Sequence, residues 1–268
     1  MTAICIVGAT GWTGRAIVDG VLAADDLELR SAVARATAGE DLGVALGCEA
    51  LGVPVHGDVA AALDGVDVLI DYTSHDAVKP NTLAAIALGV GVVIGSSGLT
   101  AADFEQIDAA ARERGVGVIA AGNFSITAAM AQAGALLAAR HLPHWEVIDY
   151  AGASKADVPS GTARELAERL AAVRAPAGAQ PPDAVAGPRE ARGATVAGAQ
   201  VHSLRLPGFV VSTEVVFGLP DERLSIRHDA GGSATPYVAG TLLAARAVSG
   251  RTGLTRGLDA VLLGDVAT

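Results

Sequence analysis

Residues 3–21 read AICIVGATGWTGRAIVDGV, and the fold follows from them. Ala3 to Val7 is a short apolar run, the mark of a strand covered on both faces. Gly8-Ala9-Thr10-Gly11-Trp12-Thr13-Gly14 follows, and then Ala16, Ile17, Val18 and Val21 recur at helical spacing. A glycine run between a strand and a helix is the setting in which such a motif has a job. The first glycine permits a tight turn, the second lets backbone approach a pyrophosphate, and the third lets helix and strand pack closely. The spacing here is GxxGxxG rather than GxGxxG. It points to a dinucleotide held by the loop Gly8 to Thr13.

The alternation continues outward from this unit. Leu27 to Val33 reads as a second strand, ending in Ala34 and Arg35. An acidic residue at that end would favour the ribose hydroxyls of NAD. A guanidinium favours the 2′-phosphate of NADP by charge and by fork geometry, so NADPH is the expected cofactor, with NADH as the alternative. Val66 to Asp71 is a strand ending in Tyr72-Thr73-Ser74, and Val78 to Leu88 is helical. Val92 to Ile94 ends in Gly95-Ser96-Ser97-Gly98. Ala101 to Arg114 is a helix, and Val116 to Ala120 ends in Ala121-Gly122-Asn123-Phe124-Ser125. Strand ends rich in small and polar residues are what line the ligand crevice of a doubly wound parallel sheet.

The rhythm then changes. An Ala-rich helix runs to about Ala139, and residues 174–194, rich in Pro, Gly and Ala, form a loop or excursion. Val201 to Leu206, Phe209 to Phe217 and Arg223 to His228 are strand-like without intervening helices, which predicts an antiparallel or mixed sheet. Pro236 to Val248 is helical and is expected to return to the first domain.

Between these halves lies WEVIDYAGASKADVPSGTA, residues 145–163. It opens as a strand and ends as a helix start at Pro159-Ser160-Gly161-Thr162, where backbone amides favour an anion. Lys155 stands just before it. It and Lys79 are the only lysines in a chain that otherwise uses arginine, which suits a compact charge or a nitrogen that can release a proton. A loop lysine ahead of a well-capped helix is the plainer reading.

The chain has 268 residues, 51% hydrophobic and only 3% aromatic, with 33 glycines and a net charge of −10. The core must be built from Ala, Val, Leu and Ile. The charge argues against nucleic acid and anionic membranes as partners. Cys5 and Cys48 are the only cysteines, and no disulfide is expected. No basic leader with an apolar core and no 18-residue apolar run is read, so a cytoplasmic protein is expected.

Seven segments spread along the chain resemble the dihydrodipicolinate reductase family of the bacterial lysine and diaminopimelate pathway. They are Gly8 to Gly14, Asp71 to Thr73, Gly95 to Gly98, Asn123 to Ser125, Lys155 to Ala163, Val201 to Gly208 and Ile226 to Asp229. The run K-x-D-x-P-S-G-T-A is the most specific of them. The resemblance implies an α/β fold. A Rossmann domain over 1–125, completed by 238–268, accompanies a central α+β domain with an open mixed sheet over 126–237. It also implies a homotetramer joined through those sheets. By matching position, Gly8, Ala9, Thr10, Gly11, Trp12 and Thr13 form the cofactor loop, with Arg35 at the 2′-phosphate. Tyr72, Thr73, Gly95, Ser96, Ser97, Ala121, Gly122, Asn123 and Phe124 are the remaining cofactor contacts. Ser97, Lys155, Ser160, Gly161 and Thr162 hold a carboxylated substrate, and Lys155 is the candidate catalytic residue. No metal is implied. The activity implied is hydride transfer from NAD(P)H to a carboxylated cyclic imine or a conjugated C=C or C=N bond.

The chain departs from the family where it bears on substrate: an arginine that the family has near the start of its last helix is replaced by Gly231-Gly232-Ser233-Ala234, and a histidine pair is missing. The family carries H-H-x-x-K, the first histidine as proton donor and the second contacting substrate, and here those positions are Ala151 and Gly152. Hydride transfer needs an acid, so Lys155 is the first candidate, with Tyr150, His202 and His228 behind it. Three other functions stay open: an imine reductase or amino-acid dehydrogenase with a different substrate, and a non-catalytic NADPH-binding protein. A short-chain reductase is disfavoured, because its Tyr and Lys stand four apart on one helix, whereas Tyr150 and Lys155 are five apart in strand and loop.

Overall fold

The computed structural model describes residues 1–177 and 181–264. Residues 178–180 of the Pro-rich stretch, and 265–268 of the expected C-terminal completion, lie outside the described residues. The chain divides into two compact units, Met1–Ile126 with Ala234–Gly264, and a second unit that begins at Thr127 and runs to Ser233.

The first unit is a seven-stranded sheet in the order β12-β6-β5-β4-β1-β2-β3, parallel throughout. Its strands are β1 (Thr2–Val7), β2 (Leu27–Val33), β3 (Val55–His56), β4 (Val68–Asp71), β5 (Gly91–Ile94), β6 (Gly117–Ala120) and β12 (Gly253–Arg256). Alternate residues of these strands face opposite helical layers. Cys5, Val7, Leu69, Val92, Ile94 and Val118 pack with apolar residues of α3 (Val59–Ala62), α4 (His75–Ala87) and α5 (Ala101–Arg114). Ile4, Ile6, Ile70, Val93 and Ile119 are as deeply buried on the other face, where α1 (Trp12–Leu22) and α8 (Thr235–Val248) lie. Burial on both faces is why these strands are unbroken apolar runs. α5 has a clear start and stop: Thr100 and Asp103 form a reciprocal capping box, and Gly115 ends the helix in the left-handed region. The short α2 (Leu42–Ala45) is started by Asp41, whose carboxylate accepts from Gly43 N and Val44 N.

The second unit is a five-stranded mixed sheet in the order β11-β10-β7-β9-β8. Its strands are β7 (His144–Ala151), β8 (Ala194–Val196), β9 (Ala199–Arg205), β10 (Val211–Leu219) and β11 (Glu222–Asp229). β7 and β9 are parallel and the other pairs antiparallel. Trp145, Val147, Val201, Val215 and Phe217 point to one face and pack with α6 (Ile126–Ala139) and α7 (Gly161–Val173). The alternate residues Glu146, Ile148 and Tyr150 point to the other face and stay half-exposed. That period-two pattern is the reason this sheet reads differently in sequence from the first.

Candidate active site

Strand register sets the site of the first unit. Val33, Val7, Asp71, Ile94 and Ala120 lie in one row across β2, β1, β4, β5 and β6. The row continues as backbone hydrogen bonds: Gly8 N to Val33 O at 2.9 Å, Tyr72 N to Val7 O at 3.0 Å, Gly95 N to Asp71 O at 2.9 Å and Ala121 N to Ile94 O at 3.2 Å. One residue past this row the chain carries Ala34-Arg35, the Gly8 loop, Tyr72-Thr73, Gly95-Ser96-Ser97 and Ala121-Gly122-Asn123-Phe124. The cofactor residues read from sequence thus share the carboxyl edge of one parallel sheet, where such sheets take their ligands.

The glycine loop is built for close approach. Gly8 has φ +82, and a Cβ there would collide with the Tyr72 carbonyl. A Cβ at Gly14 would collide with the Gly8 carbonyl, so α1 starts directly against the loop. Gly11 is the helix N-cap and supplies no side-chain cap, leaving the amide end of α1 to an external anion. A dinucleotide's pyrophosphate fits this cradle. Trp12, 56% exposed, stands at the rim edge-on to Tyr237, their centroids 6.2 Å apart. The Arg35 guanidinium is exposed and has no ion-pair partner among the described residues.

Two of the expected contact residues spend their side chains internally. Thr241 Oγ1 donates to Tyr237 O at 2.8 Å, so the Tyr72 hydroxyl donates to Thr241 Oγ1 at 2.7 Å; burial pushes that phenol's pKa up. Its ring lies against Gly95, where a Cβ would meet it, and edge-on to Phe124. Ser96 Oγ donates to Asp71 Oδ1 at 2.6 Å. Asp71, 0% exposed, was not foreseen as a site residue. Its carboxylate also accepts from Thr73 N at 2.9 Å, Thr73 Oγ1 at 2.6 Å and Asn81 Nδ2 at 2.8 Å. Asn123 Oδ1 accepts from Ser125 N and fixes the turn after β6, while the Ser97 hydroxyl is exposed.

In the second unit the residues around Lys155 are organised by another buried carboxylate. Asp149, 0% exposed, accepts from Ser160 N at 2.9 Å, Ser160 Oγ at 2.6 Å, Ser203 Oγ at 3.0 Å and Arg205 Nη2 at 2.8 Å. Arg205 Nη2 also donates to Asp157 O at 2.6 Å. Asp149 and Arg205 therefore tie the end of β7 to the loop and to the start of α7. The Ser160 hydroxyl proton goes to Asp149 and its oxygen accepts from Ala163 N at 3.3 Å, so Ser160 caps the helix. The anion-favouring end of α7 is then Gly161 and Thr162. Lys155 Nζ, its side chain 30% exposed, pairs with Asp157 Oδ1 at 2.8 Å. Burial alone would raise the Asp157 carboxyl, but the Lys155 ammonium outweighs it and holds that carboxyl below its ordinary range.

The other proton-donor candidates are placed elsewhere. Strand alternation turns Tyr150 and His202 to the face opposite Asp149. The Tyr150 hydroxyl donates to Glu214 at 3.0 Å, and burial together with that carboxylate raises its pKa. His202 Nε2 meets Glu146 at 2.7 Å, and Arg192 bonds the same carboxylate. His228 is on the Asp149 face, with Nε2 3.1 Å from Thr127 Oγ1, and burial lowers its pKa. Ala151 is fully buried. A Cβ at Gly152 would press on the Phe209 carbonyl. A cavity of about 590 Å³ lined by Glu146, Ile148, His202 and Val216 lies on the face away from Asp149.

A parallel sheet with a glycine loop at its carboxyl edge, and a mixed-sheet unit that sets a lysine ahead of a capped helix start, are features of a pyridine-nucleotide oxidoreductase. Family models for the dihydrodipicolinate reductase N-terminus and C-terminus match residues 2–124 and 123–262. A 4-hydroxy-tetrahydrodipicolinate reductase of Thermosynechococcus vestitus is 38% identical over 97% of this chain and 96% of its own. One of Corynebacterium diphtheriae is 38% identical over 95% and 96%. The dipicolinate-bound dihydrodipicolinate reductase of Paenisporosarcina sp. TG-14 superposes with a TM-score of 0.76 at 29% identity, covering 97% of this chain and 98% of that one. This chain belongs to the dihydrodipicolinate reductase family, and its N-terminal half is the pyridine-nucleotide-binding domain of that family. Among the described residues no helix is long and apolar enough to cross a membrane.

Proposed function

We propose that the chain is an NADPH-dependent reductase acting on 4-hydroxy-tetrahydrodipicolinate, the substrate named for its relatives, in the route to diaminopimelate and lysine. The observation that carries this reading is the anion site of the second unit. Lys155 and the first turn of α7 are held in place by the buried Asp149–Arg205 pair. Ammonium, hydroxyl and helix amides are complementary to a substrate carboxylate, and the dipicolinate bound by the Paenisporosarcina relative is such a carboxylate. Gly8 to Thr13 hold the pyrophosphate and Arg35 the 2′-phosphate. Residues 95–97 and 121–124 flank the nicotinamide, and Tyr72 and Thr73 complete the cofactor contacts. When bound, NADPH supplies a hydride. Lys155 holds the substrate carboxylate and delivers the proton that balances it, since Tyr150 and His202 face away and His228 is buried. The half-exposed face of the mixed sheet, with Glu146, Ile148 and Tyr150, supports assembly as a homotetramer, and the protein acts in the cytoplasm.

Ala151 and Gly152 favour a second reading. Neither position presents an ionisable group, and the loss of the family's imidazole pair fits a pocket retuned for another imine or unsaturated carboxylate. Purified protein is to be given NADPH with freshly generated 4-hydroxy-tetrahydrodipicolinate, and separately with other cyclic imines and with 2-oxo acids plus ammonia. Turnover at an ordinary enzyme rate on the first establishes the main reading. Turnover only on another imine establishes the second. NADPH binding with no consumption on any of them identifies a non-catalytic nucleotide-binding protein.

A further inference from the structure

The buried Asp71 carboxylate has no role in the chemistry above, yet its surroundings single it out. It closes β4 at the carboxyl edge of the sheet, fully buried. Every group that meets it is a donor: the Thr73 amide and hydroxyl, the Ser96 hydroxyl and the Asn81 amide. Thr73 N and Asn81 Nδ2 can only donate, and both hydroxyls can donate as well, an arrangement that favours the ionised carboxylate. Among the described residues no lysine, arginine or histidine forms an ion pair with it. A buried charge is ordinarily paired with an opposite one; here dipoles stabilise the anion and leave its net charge in place. That charge reaches neighbouring groups. Burial pushes the Cys5 thiol up to about 11, and the field of Asp71 adds to the rise after the Ser31 hydrogen bond has opposed it.

We infer that Asp71 is a fixed counter-charge for the nicotinamide, favouring the oxidised, cationic ring over the reduced, neutral one. The inference rests on the nucleotide-binding reading of the sheet edge. Thr73 and Ser96, two residues of that edge, are each one hydrogen bond from the carboxylate, and Thr73 N also donates to Ser96 Oγ at 2.6 Å. Departure of a hydride to the substrate carbon, with one proton supplied to the substrate, leaves the ring with one positive charge. A preorganised anion in a water-poor site stabilises that developing charge without having to reorganise. Asp71 acts as a positioning residue as well, since it orients the Thr73 and Ser96 hydroxyls.

The test is the ratio of two dissociation constants, Kd(NADP⁺)/Kd(NADPH), measured by calorimetry on the intact protein. In Asp71→Asn the neutral amide lacks the counter-charge, and the ratio is expected to rise about tenfold. The double variant D71N/N81D moves the carboxylate across the existing Asp71–Asn81 hydrogen bond and is expected to bring the ratio back to within about threefold of wild type. Asn81→Ala keeps the charge while removing a donor, and its ratio is expected to stay within about twofold. Should D71N not fold, Asp71→Ser is the neutral variant to be read. A ratio unmoved by neutralising Asp71, with both constants rising together, overturns the inference and leaves a purely structural carboxylate. So does a shift in N81A as large as in D71N. Wild-type protein that binds neither form defeats the nucleotide reading itself, whereas binding with an unmoved ratio defeats this inference alone.

Discussion

Asp149→Ala tests how the substrate half is held together. The side chain is fully enclosed and accepts four hydrogen bonds, from Ser160 N, Ser160 Oγ, Ser203 Oγ and Arg205 Nη2. Removing it strands two donors of the helix cap. It also leaves the Arg205 guanidinium, 15% exposed, with only the carbonyls of Leu204 and Asp157. Breaking one side of a buried ion pair costs about 3–5 kcal/mol. For a chain of this size that is a fall in Tm of roughly 6–20 °C. The double variant D149A/R205M removes the stranded charge, and a buried pair replaced by apolar groups is often nearly neutral. Thermal unfolding should therefore find the double variant more stable than D149A. Function should separate from stability in that recovered protein. The substrate KM should rise strongly, because nothing ties residues 155–160 to β7, while NADPH affinity stays at the wild-type value. Either of two results refutes the reasoning: D149A within about 1 kcal/mol of wild type, or a stable double variant with an unchanged KM.

Lys155→Ala should lower turnover by about two orders of magnitude or more while calorimetry shows NADPH binding within about twofold of wild type, since the residue serves the other ligand. Arg35→Ala removes a charge-assisted contact worth about 1.5–3 kcal/mol, so NADPH should bind roughly 10–150-fold more weakly and NADH almost as before; equal losses for the two would refute the 2′-phosphate role. His228 gives a pH signature. Burial depresses its folded-state pKa, so the unfolded chain takes up its proton first as pH falls below about 6.5, and stability declines from there to the folded pKa by at most about 1.4 kcal/mol per pH unit. His228→Asn should flatten that part of a Tm-versus-pH curve, and an unaltered slope would show that another group is responsible.

Much of this architecture was legible in the residues. The glycine run and the apolar strands around it announce a parallel sheet because burial on both faces forces unbroken hydrophobic runs. The change of rhythm after Val201 announces the mixed sheet. Short elements escaped. β12, Gly253–Arg256, has one strongly apolar residue and is a strand only because β6 offers it an edge. β3 is two residues long, and β8 lies in a stretch whose Pro and Gly content reads as loop. Asp71, Asp149 and Arg205 escaped as site residues for a related reason. Alternation makes a polar residue near a strand end look solvent-facing, and only tertiary packing shows these three enclosed. A signal was present for two of them: in VLID and VIDY a carboxylate stands two residues after a buried apolar one, on the same face of its strand, and such a charge needs donors brought from elsewhere in the chain. The Ser160 hydroxyl shows the converse limit, since its place in the helix cap is plain in sequence and the destination of its proton is not.

The division of the chain carries a consequence for synthesis. α8 and β12 belong to the nucleotide half, yet residues 234–264 follow the whole of residues 127–233. A nascent polypeptide must therefore emerge through the intervening insert before its opening segment can be finished. Until then the outer side of β6 is an unclaimed ladder of peptide groups, a template for pairing with the wrong chain. Translation speed through the insert, and chaperone attention during that interval, become the natural determinants of yield.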